Sequence, residues 1–268
     1  MENVRLEHKG MIHFITSHHG TNKFIKPQLH FISKNVKSEY KIWAFYDGED
    51  LNDFKDSFHF INHPENYIDG YRNEPASLDA HYKKLDKLFE LAWNSDIPED
   101  DIVVFLDGDA FPIAPLDEYL EDVLITHSFA AIQRLESGFD IQPCSMFCAV
   151  KAGLWNEVGA SWNYKNYSWY NDHFGSYRKD VGGDLLKLAF EKRLIWWPLH
   201  RTNKVNIHPV GFGIYDNIIY HHGAGFRGSF DGFYLGKEKM DLSDSKRDQA
   251  IALEKDIFNL NEFYNTLI

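Results

Sequence analysis

Two aspartates stand two positions apart in the stretch FLDGDAFP (105–112), directly after the apolar run 102–106. In an extended chain residues i and i+2 point the same way, so Asp107 and Asp109 can converge on one point. Gly108 between them allows a ligand to approach the backbone closely. Carboxylate oxygens suit Mg²⁺ or Mn²⁺, which usually share their coordination with water and substrate phosphates. Such a motif occurs by chance in a chain rich in aspartate, so its position in the fold decides its meaning.

The apolar segments around this motif indicate what positions it. A helix is predicted where apolar residues recur at helical spacing from Leu78 to Trp93, with Ser77 as a candidate N-cap, and it leads into the strand 102–106. A polar amphipathic segment follows the first strand at about 25–37. The other segments before the motif that are typical of buried strands are MIHFITS (11–17), YKIWAFYDG (40–48) and the weaker FHFIN (58–62).

The segments after the motif continue the alternation. Strands are predicted at 127–135 and 145–153, and a helix at 180–194 after the paired glycines of DVGGD. The stretch NIIYHHGAGFRG (217–228) is interpreted as a strand that runs into a glycine-rich loop. The final segment from Ser245 has apolar residues at helical intervals, which predicts a closing helix packed on the domain.

This alternation of strands and helices predicts an α/β fold with an open, mixed and mostly parallel sheet flanked by helices. In such sheets the ligand site lies beyond the carboxyl ends of the strands, where Thr16, Ser17, Asp107 and Asp109 are expected. There is no internal repeat or clear linker, so we expect a single domain over residues 1–268.

Composition and charge exclude several classes of protein. The formal net charge is −12, from 28 basic and 40 acidic residues, which disfavours nucleic acid and anionic membranes as partners. No segment approaches the roughly 18 continuous apolar residues that a membrane span needs, and the polar start MENVRLEHKG does not resemble the apolar core of a signal peptide, so a cytoplasmic location is expected. The two cysteines, Cys144 and Cys148, are too few for a disulfide framework and are interpreted as buried thiols.

The strand ending in Thr-Ser, the helix before an apolar strand, FLDGDAFP and the late histidine in HGAG together resemble glycosyltransferases of the GT-A fold. The resemblance covers about residues 11–228, and its specific parts are the two aspartates and the His-x-x-Gly setting of His222. It implies an enzyme that moves a sugar from a nucleotide-diphosphate donor, expected to be a UDP-sugar, to a glycan or other hydroxyl acceptor. It implies no particular family within the fold.

The resemblance also implies roles for individual residues. Asp109 would be the principal ligand of a divalent cation, and Asp107 would contact the ribose or sugar and assist through water. His222 would be the third protein ligand, with His221 as the competing choice, and an imidazole suits Mn²⁺ somewhat better than Mg²⁺. Further expected contacts to the donor are Thr16 and Ser17 in the nucleotide pocket, His81 and Lys84 on the helix before the motif, and Arg227 at the departing diphosphate.

An inverting enzyme needs a carboxylate base near the acceptor. Asp184, placed by two glycines at the start of a helix, is the first candidate and Asp180 the second. Asp184 could equally be a helix N-terminal acid favoured by the dipole, and retaining enzymes need no such base. Trp196, Trp197 and the aromatic cluster 161–170 are candidates for stacking on the acceptor.

Three other functions remain open. A phosphatase or phosphotransferase of the haloacid-dehalogenase type also places two aspartates after an apolar strand, but Phe111 occupies its Thr or Val position and the motif comes late in the chain. A sugar-1-phosphate nucleotidyltransferase would need a glycine-rich, basic N-terminal signature, which MIHFITSHHGTNK lacks. A non-catalytic sugar-binding domain would explain the aromatic residues but not the paired carboxylates.

Overall fold

The computed structural model describes residues 10–19, 22–48, 51, 53–62, 78–203, 212–223, 234–235, 238–239, 262 and 265–266. The strands of its main sheet are β1 (Ile12–His18), β2 (Tyr40–Tyr46), β3 (Phe60–Asn62), β4 (Ile102–Asp107), β6 (Phe129–Ile132), β7 (Cys144–Lys151) and β10 (Trp196–Leu199). The shorter strands are β5 (Ala110–Pro112), β8 (Trp169–Asn171), β9 (Ser176–Arg178), β11 (Gly213–Tyr215), β12 (Ile219–His221), β13 (Tyr234–Leu235) and β14 (Glu238–Lys239). The α-helices are α1 (Ile25–Asn35), α2 (Leu78–Trp93), α3 (Leu116–Leu124), α4 (Ala152–Glu157) and α5 (Gly183–Lys192).

The central sheet has seven strands in the order β10-β6-β7-β4-β1-β2-β3. β1 is parallel to both β2 and β4, β2 is parallel to β3, and β10 is parallel to β6. Only β7 runs the other way, antiparallel to β4 and to β6. The predicted α/β class, with a mixed and mostly parallel sheet, is therefore confirmed.

The strands are apolar on both faces because helices cover the sheet from both sides. Ile12, Phe14, Val104 and Leu106 belong to one buried cluster, which includes Ile32 of α1 and further residues of α1 and α3. Their sequence neighbours on the strands, such as Ile15 and Phe105, belong to a second cluster with residues of α2 and α5. The alternation with period two along each strand thus separates the core into two layers.

A second, antiparallel sheet brings a distant part of the chain to the aspartate motif. Its order is β11-β12-β5, and β5 begins at Ala110, directly after Asp109. β12 pairs with β5 so that His221 lies opposite Ala110. This small sheet is what places the late histidines beside the two aspartates.

Several predicted elements exist with different bounds. The strand predicted at 127–135 is limited to β6, and the one at 145–153 ends at Lys151 because the chain turns into α4. Within the predicted strand 217–228 the structure describes β12 and residues to Gly223. Elements that were not predicted are α3, α4, β5, the hairpin of β8 and β9, β10, β11, and the pair of β13 and β14.

Two expectations concern parts of the chain that the structure describes little. Most of the predicted closing helix and the candidate cap Ser77 lie outside the described residues, and the single-domain expectation stays a prediction. Glu262 is helical, and its carboxylate accepts hydrogen bonds from Lys34 at 2.6 and 2.8 Å. In the described part of the chain, no helix combines the length and the apolar character that crossing a membrane requires.

Candidate metal centre

Asp107 is the last residue of β4 and Asp109 lies on the tight turn into β5, at the carboxyl end of the parallel strands. Ser17 of β1 is aligned with Asp107 in the parallel ladder. A Cβ atom added to Gly108 would lie 2.6 Å from the Ser17 carbonyl oxygen and 2.8 Å from His18 Nδ1. Because real Cβ atoms do not approach backbone atoms so closely, glycine is needed here for the turn to pack against β1.

Asp107, Asp109 and His221 form a compact cluster of potential metal ligands. One ligand atom from each lies within 4.8 Å of the others. His221 Nε2 is 3.3 Å from Asp109 Oδ1 and 3.6 Å from Asp107 Oδ2. Two carboxylates and an imidazole are a donor set suited to Mn²⁺ or Mg²⁺.

The histidine in this cluster is His221, whereas the sequence favoured His222. Successive side chains of a strand point to opposite faces, so only one of two adjacent histidines can face the carboxylates. His222 points with Tyr220 to the other side, where the Tyr220 hydroxyl and His222 Nδ1 share a hydrogen bond of 2.9 Å. Its ring packs against Phe24 and Phe212 at centroid distances of 4.8 and 5.1 Å.

The charges of the cluster are strongly coupled. Burial alone would lower the pKa of His221, but Asp109 and Asp107 raise it to about 9. Burial would raise the pKa of Asp107, yet hydrogen bonding and positive charge from His221 and His81 hold it well below its usual value. His221 lowers the pKa of Asp109 in the same way, against the effect of burial. Positive charge is therefore what this buried pair of carboxylates requires, and a divalent cation would supply it in place of the proton on His221.

An unpartnered carboxylate oxygen of the cluster also fits a bound cation. Asp107 Oδ1 and His221 Nδ1 are buried and have no hydrogen-bond partner within the described part of the chain. A buried polar atom without a partner is costly, and such atoms mark places where an ion or a water completes the structure. His81 Nε2 lies 3.3 Å from Asp107 Oδ1, as an ion-pair neighbour of that oxygen.

His81 and Lys84 both reach this end of the sheet from α2. His81 Nε2 is 3.0 Å from the hydroxyl oxygen of Ser145, at the start of β7, in addition to its contact with Asp107. Lys84 is buried, and its ammonium donates to Asp47 at 3.0 Å. Sequence reasoning did not propose Asp47, although the Asp-Gly pair that ends the second predicted strand was the available signal.

Thr16 and Ser17 occupy the end of β1 beside the cluster. The Thr16 hydroxyl is buried and has no hydrogen-bond partner among the residues that the structure describes. This location is consistent with a pocket that starts at β1, but contact of either residue with a nucleotide stays a prediction.

The two candidate bases already have partners. Asp180 forms an ion pair with Arg134 at 2.9 Å, and Arg134 also lies 3.3 Å from Asp140. Asp184 accepts hydrogen bonds from the backbone and side-chain amides of Asn166 at 3.1 and 2.7 Å. Both are thus held by polar contacts, and a role as base stays a prediction. Arg227 lies outside the described residues.

The tryptophans proposed for stacking on the acceptor are not placed beside the aspartates. Trp196 pairs with Phe129 of β6, Phe129 pairs with Val150 of β7, and Val150 pairs with Val103 of β4. Trp196 is therefore level with the beginning of β4, at the end of the strand opposite to Asp107. The Trp196 ring stacks on Phe129 at 5.5 Å. Trp197 donates to Asp216 at 2.9 Å. In the 161–170 cluster, Trp162 and Trp169 are core residues with 0% and 4% exposure, so packing accounts for them.

Comparisons with known proteins give structural matches only. No protein-family model and no curated protein matches the sequence. Glucosyl-3-phosphoglycerate synthase from Mycobacterium tuberculosis, solved with Mg²⁺ and uridine diphosphate, is 14% identical, with a TM-score of 0.42 over 71% of this chain and 69% of that chain. A mannosyltransferase from Pyrobaculum calidifontis, solved with GDP-Man and Mn²⁺, is 12% identical, with a TM-score of 0.42 over 71% and 55%. The glycosyltransferase GlyE of Streptococcus pneumoniae is 13% identical, with a TM-score of 0.38 over 71% and 45%. This chain therefore spans about half of the length of the last two proteins.

Proposed function

We propose that this protein is a metal-dependent glycosyltransferase of the GT-A type that uses a nucleotide-diphosphate sugar, preferentially a UDP-sugar. The observation that carries the proposal is the cluster of Asp107, Asp109 and His221 at the carboxyl end of parallel strands. This is the edge of an open α/β sheet where ligands bind. A divalent cation held there would neutralise the negative charge of the donor diphosphate, including the charge that develops when the diphosphate leaves the sugar.

The residues of this chain divide the work as follows. Asp109 and His221, with Asp107, would hold the cation, and Asp107 would also reach the ribose or sugar. Thr16 and Ser17 at the end of β1 would line the nucleotide pocket, because β1 is the neighbour of β4 in the sheet. His81, which already contacts Asp107, would donate a hydrogen bond to the donor.

Lys84 is proposed to act at the donor through another residue. Its buried ammonium neutralises Asp47 at 3.0 Å, which keeps the carboxyl end of β2 from repelling a diphosphate. Arg227 is kept as a candidate contact to the departing diphosphate on the basis of the sequence alone.

The acceptor side of the reaction leaves the stereochemistry open. For inversion, Asp184 is the proposed base, because its bonds to Asn166 are exposed and could be exchanged for an acceptor hydroxyl. Asp180 is the weaker candidate, since its ion pair with the buried Arg134 would have to be broken first. A retaining reaction would need neither.

The haloacid-dehalogenase alternative is disfavoured by the residue that follows the two aspartates. Phe111, at the position where that class has Thr or Val, is fully buried and stacks on Phe31 at a centroid distance of 4.8 Å. Such a residue is part of the core and offers no polar group to a phosphate.

A thermal-shift screen of UDP- and GDP-sugars, with and without Mn²⁺, tests the proposal. A donor at about 100 times its dissociation constant stabilises the folded state by roughly 2.7 kcal/mol, a rise of several degrees in Tm. We expect such a rise for at least one donor, only with Mn²⁺, and its loss in Asp109→Ala. The matched control is Asp100→Ala, which removes a surface carboxylate that is 89% exposed.

Either of two results would refute the proposal. One is the absence of any Mn²⁺-dependent shift in the native protein across the donor panel, and the other is an undiminished shift in Asp109→Ala. Once a donor is found, sugar transfer from that donor is measured for the native protein and for Asp184→Asn. Unchanged transfer by the variant would remove Asp184 as the base.

A further inference from the structure

One face of helix α1 packs on the short strand β5, which directly follows the two aspartates. Gln28, Phe31 and Asn35 are spaced three and four residues apart, which places them on one face of the helix. Phe31 stacks on Phe111 of β5 at a centroid distance of 4.8 Å. The carboxamide residues on either side of Phe31 in the sequence are 1% and 9% exposed, so they are buried on the face that packs on the strand.

The carboxamide of Gln28 bridges the two ends of the turn that carries Asp109. Its Nε2 donates hydrogen bonds to the carbonyl oxygen of Asp107 at 2.9 Å and to that of Ala110 at 2.8 Å. A carboxamide nitrogen has two hydrogens, one for each of these oxygens. Because the two carbonyls bracket Gly108 and Asp109, a single side chain fixes the separation of the two ends of the turn.

Asn35 makes the equivalent contact at the other end of β5. Its Nδ2 donates to the carbonyl oxygen of Pro112 at 2.9 Å. β5 is an edge strand that pairs with β12 on one side only, and the buried carbonyl groups of an edge strand need donors from elsewhere. The two carboxamides of α1 provide such donors, one at the turn of the aspartates and one at the end of the strand away from them.

His18 fixes the orientation of the Gln28 carboxamide from its other side. Because Nε2 of Gln28 faces two carbonyl oxygens, its Oε1 faces the His18 ring, at 3.1 Å from His18 Nε2. Since Oε1 can only accept, the proton of the neutral imidazole is on Nε2. Burial lowers the pKa of His18 to about 4, so the ring is neutral near pH 7. His18 also lies against Gly108, so β1, α1 and the turn form one connected unit.

We infer that Gln28 is a positioning residue of the metal centre, which holds the turn in the shape that lets the carboxylates of Asp107 and Asp109 converge. Its two hydrogen bonds go to the backbone on either side of Asp109, so it acts on a cation through the two aspartates. Loss of a residue that orients metal ligands usually weakens metal binding about 10- to 100-fold. The inference rests on the proposed function, because it takes the cluster of aspartates to be a site for a divalent cation.

The size of the cation distinguishes this role from a purely structural one. If Gln28 only stabilised the fold, its loss would lower the free energy of unfolding and leave the cation affinity of the folded protein unchanged. Mg²⁺ requires a near-ideal octahedron with short bonds, whereas Ca²⁺ accepts a flexible geometry with longer bonds. A turn without its bridge can rearrange around Ca²⁺ but no longer holds its ligands at the spacing for Mg²⁺. We therefore expect the ratio of Mg²⁺ affinity to Ca²⁺ affinity to fall.

Titration of Mn²⁺ by electron paramagnetic resonance, with and without UDP, tests the inference in Gln28→Met. Methionine is close to glutamine in length and volume but cannot donate to the two carbonyls. We expect Mn²⁺ binding to weaken about tenfold or more and, in competition with Mn²⁺, a larger loss of affinity for Mg²⁺ than for Ca²⁺. The matched control is Asn35→Leu, which removes a buried carboxamide from the same helix face and should lower stability without a change in Mn²⁺ affinity.

Gln28→Ser is the second variant, in case Gln28→Met does not fold. Its smaller side chain leaves room for water, which can satisfy the two carbonyls without fixing their separation. The same weakening of Mn²⁺ binding is expected. Circular dichroism and urea unfolding establish that each variant is folded before the metal titration.

The outcomes keep this inference separate from the proposed function. A native protein that binds Mn²⁺ but is shifted by no nucleotide-sugar would refute the glycosyltransferase, and weaker Mn²⁺ binding by the Gln28 variants would still support the inference. Folded Gln28 variants that bind Mn²⁺ as the native protein does, an equal loss of affinity in Asn35→Leu, or an unchanged ratio of Mg²⁺ to Ca²⁺ affinity would each overturn the inference. Absence of Mn²⁺ binding by the native protein, with and without UDP, would overturn both.

Discussion

At the scale of the residue, two adjacent histidines have different environments because a strand turns successive side chains to opposite faces. His221 faces two carboxylates, which raise its pKa to about 9 against the effect of burial. Burial lowers the pKa of His222 to about 3, in spite of the charge of Asp109, because its ring lies among aromatic side chains. One residue of difference in position thus separates a candidate ligand from a packed core histidine.

This difference predicts which histidine binds the cation. We expect His221→Gln to weaken Mn²⁺ binding in the presence of UDP by about tenfold or more, because one of three ligating side chains is lost. His222→Gln removes the hydrogen-bond partner of the Tyr220 hydroxyl and should reduce stability, with Mn²⁺ affinity changed much less. The measurement is titration of free Mn²⁺ by electron paramagnetic resonance. Loss of affinity in His222→Gln alone would reverse the assignment.

At the scale of the element, α2 is tied to the loop before β8 through one carboxylate. Asp86 accepts the Ser161 hydroxyl at 2.6 Å and the Trp162 amide at 2.9 Å. Burial raises the pKa of Asp86 to about 6, and the charge of Asp184 adds to this, although the two hydrogen bonds oppose it. The neutral acid is therefore favoured in the folded protein relative to the unfolded chain.

The raised pKa predicts how stability changes with pH. A carboxyl group with a raised folded-state pKa contributes its full stability below the unfolded value near 3.8 and loses it as the pH rises through about 6. We expect ionisation of Asp86 to lower the free energy of unfolding by about 2 kcal/mol between pH 4 and pH 8. Asp86→Asn should lack this part of the decline, whereas the surface variant Asp100→Asn should retain it. Urea unfolding across that pH range measures it, and parallel pH profiles for the native protein and Asp86→Asn would contradict the role of Asp86.

At the scale of the whole molecule, β7 lies inside the sheet with β4 on one side and β6 on the other. Its two thiols, Cys144 and Cys148, are 7% and 0% exposed. Burial raises the pKa of Cys144 to about 12 and that of Cys148 well above its usual value. A central strand opens only when most of the structure opens, so its exposure reports on global stability.

The position of the cysteines predicts a single, slow thiol reaction. We expect both thiols to be protected from 5,5′-dithiobis(2-nitrobenzoic acid) at pH 8 and to react at one common rate that rises with urea along with global unfolding. The urea dependence of the circular dichroism signal provides the comparison. Rapid labelling of either cysteine in the native protein would contradict the structure of this strand.

The sequence determined the fold class and the first two members of the candidate metal centre. The apolar run 102–106 and the two aspartates that follow it are local features, and a local pattern is enough to predict a buried strand whose end carries polar ligands. The order of strands and helices was also readable, because period two and period 3.6 differ within a short window. Elements of few residues, such as β5 and β8, offer no such window and were not predicted.

The tertiary structure decided which distant residues join the centre. The pairing of β12 with β5 places His221 beside Asp109, and a shift of one residue in that register would have turned His222 to the carboxylates instead. The same holds for the aromatic residues: Trp196 is aligned with the start of β4, while Tyr170 and Tyr177 meet in a hairpin. Strand register and direction depend on contacts between segments far apart in the chain, and the spacing of residues within one segment carries no information about them.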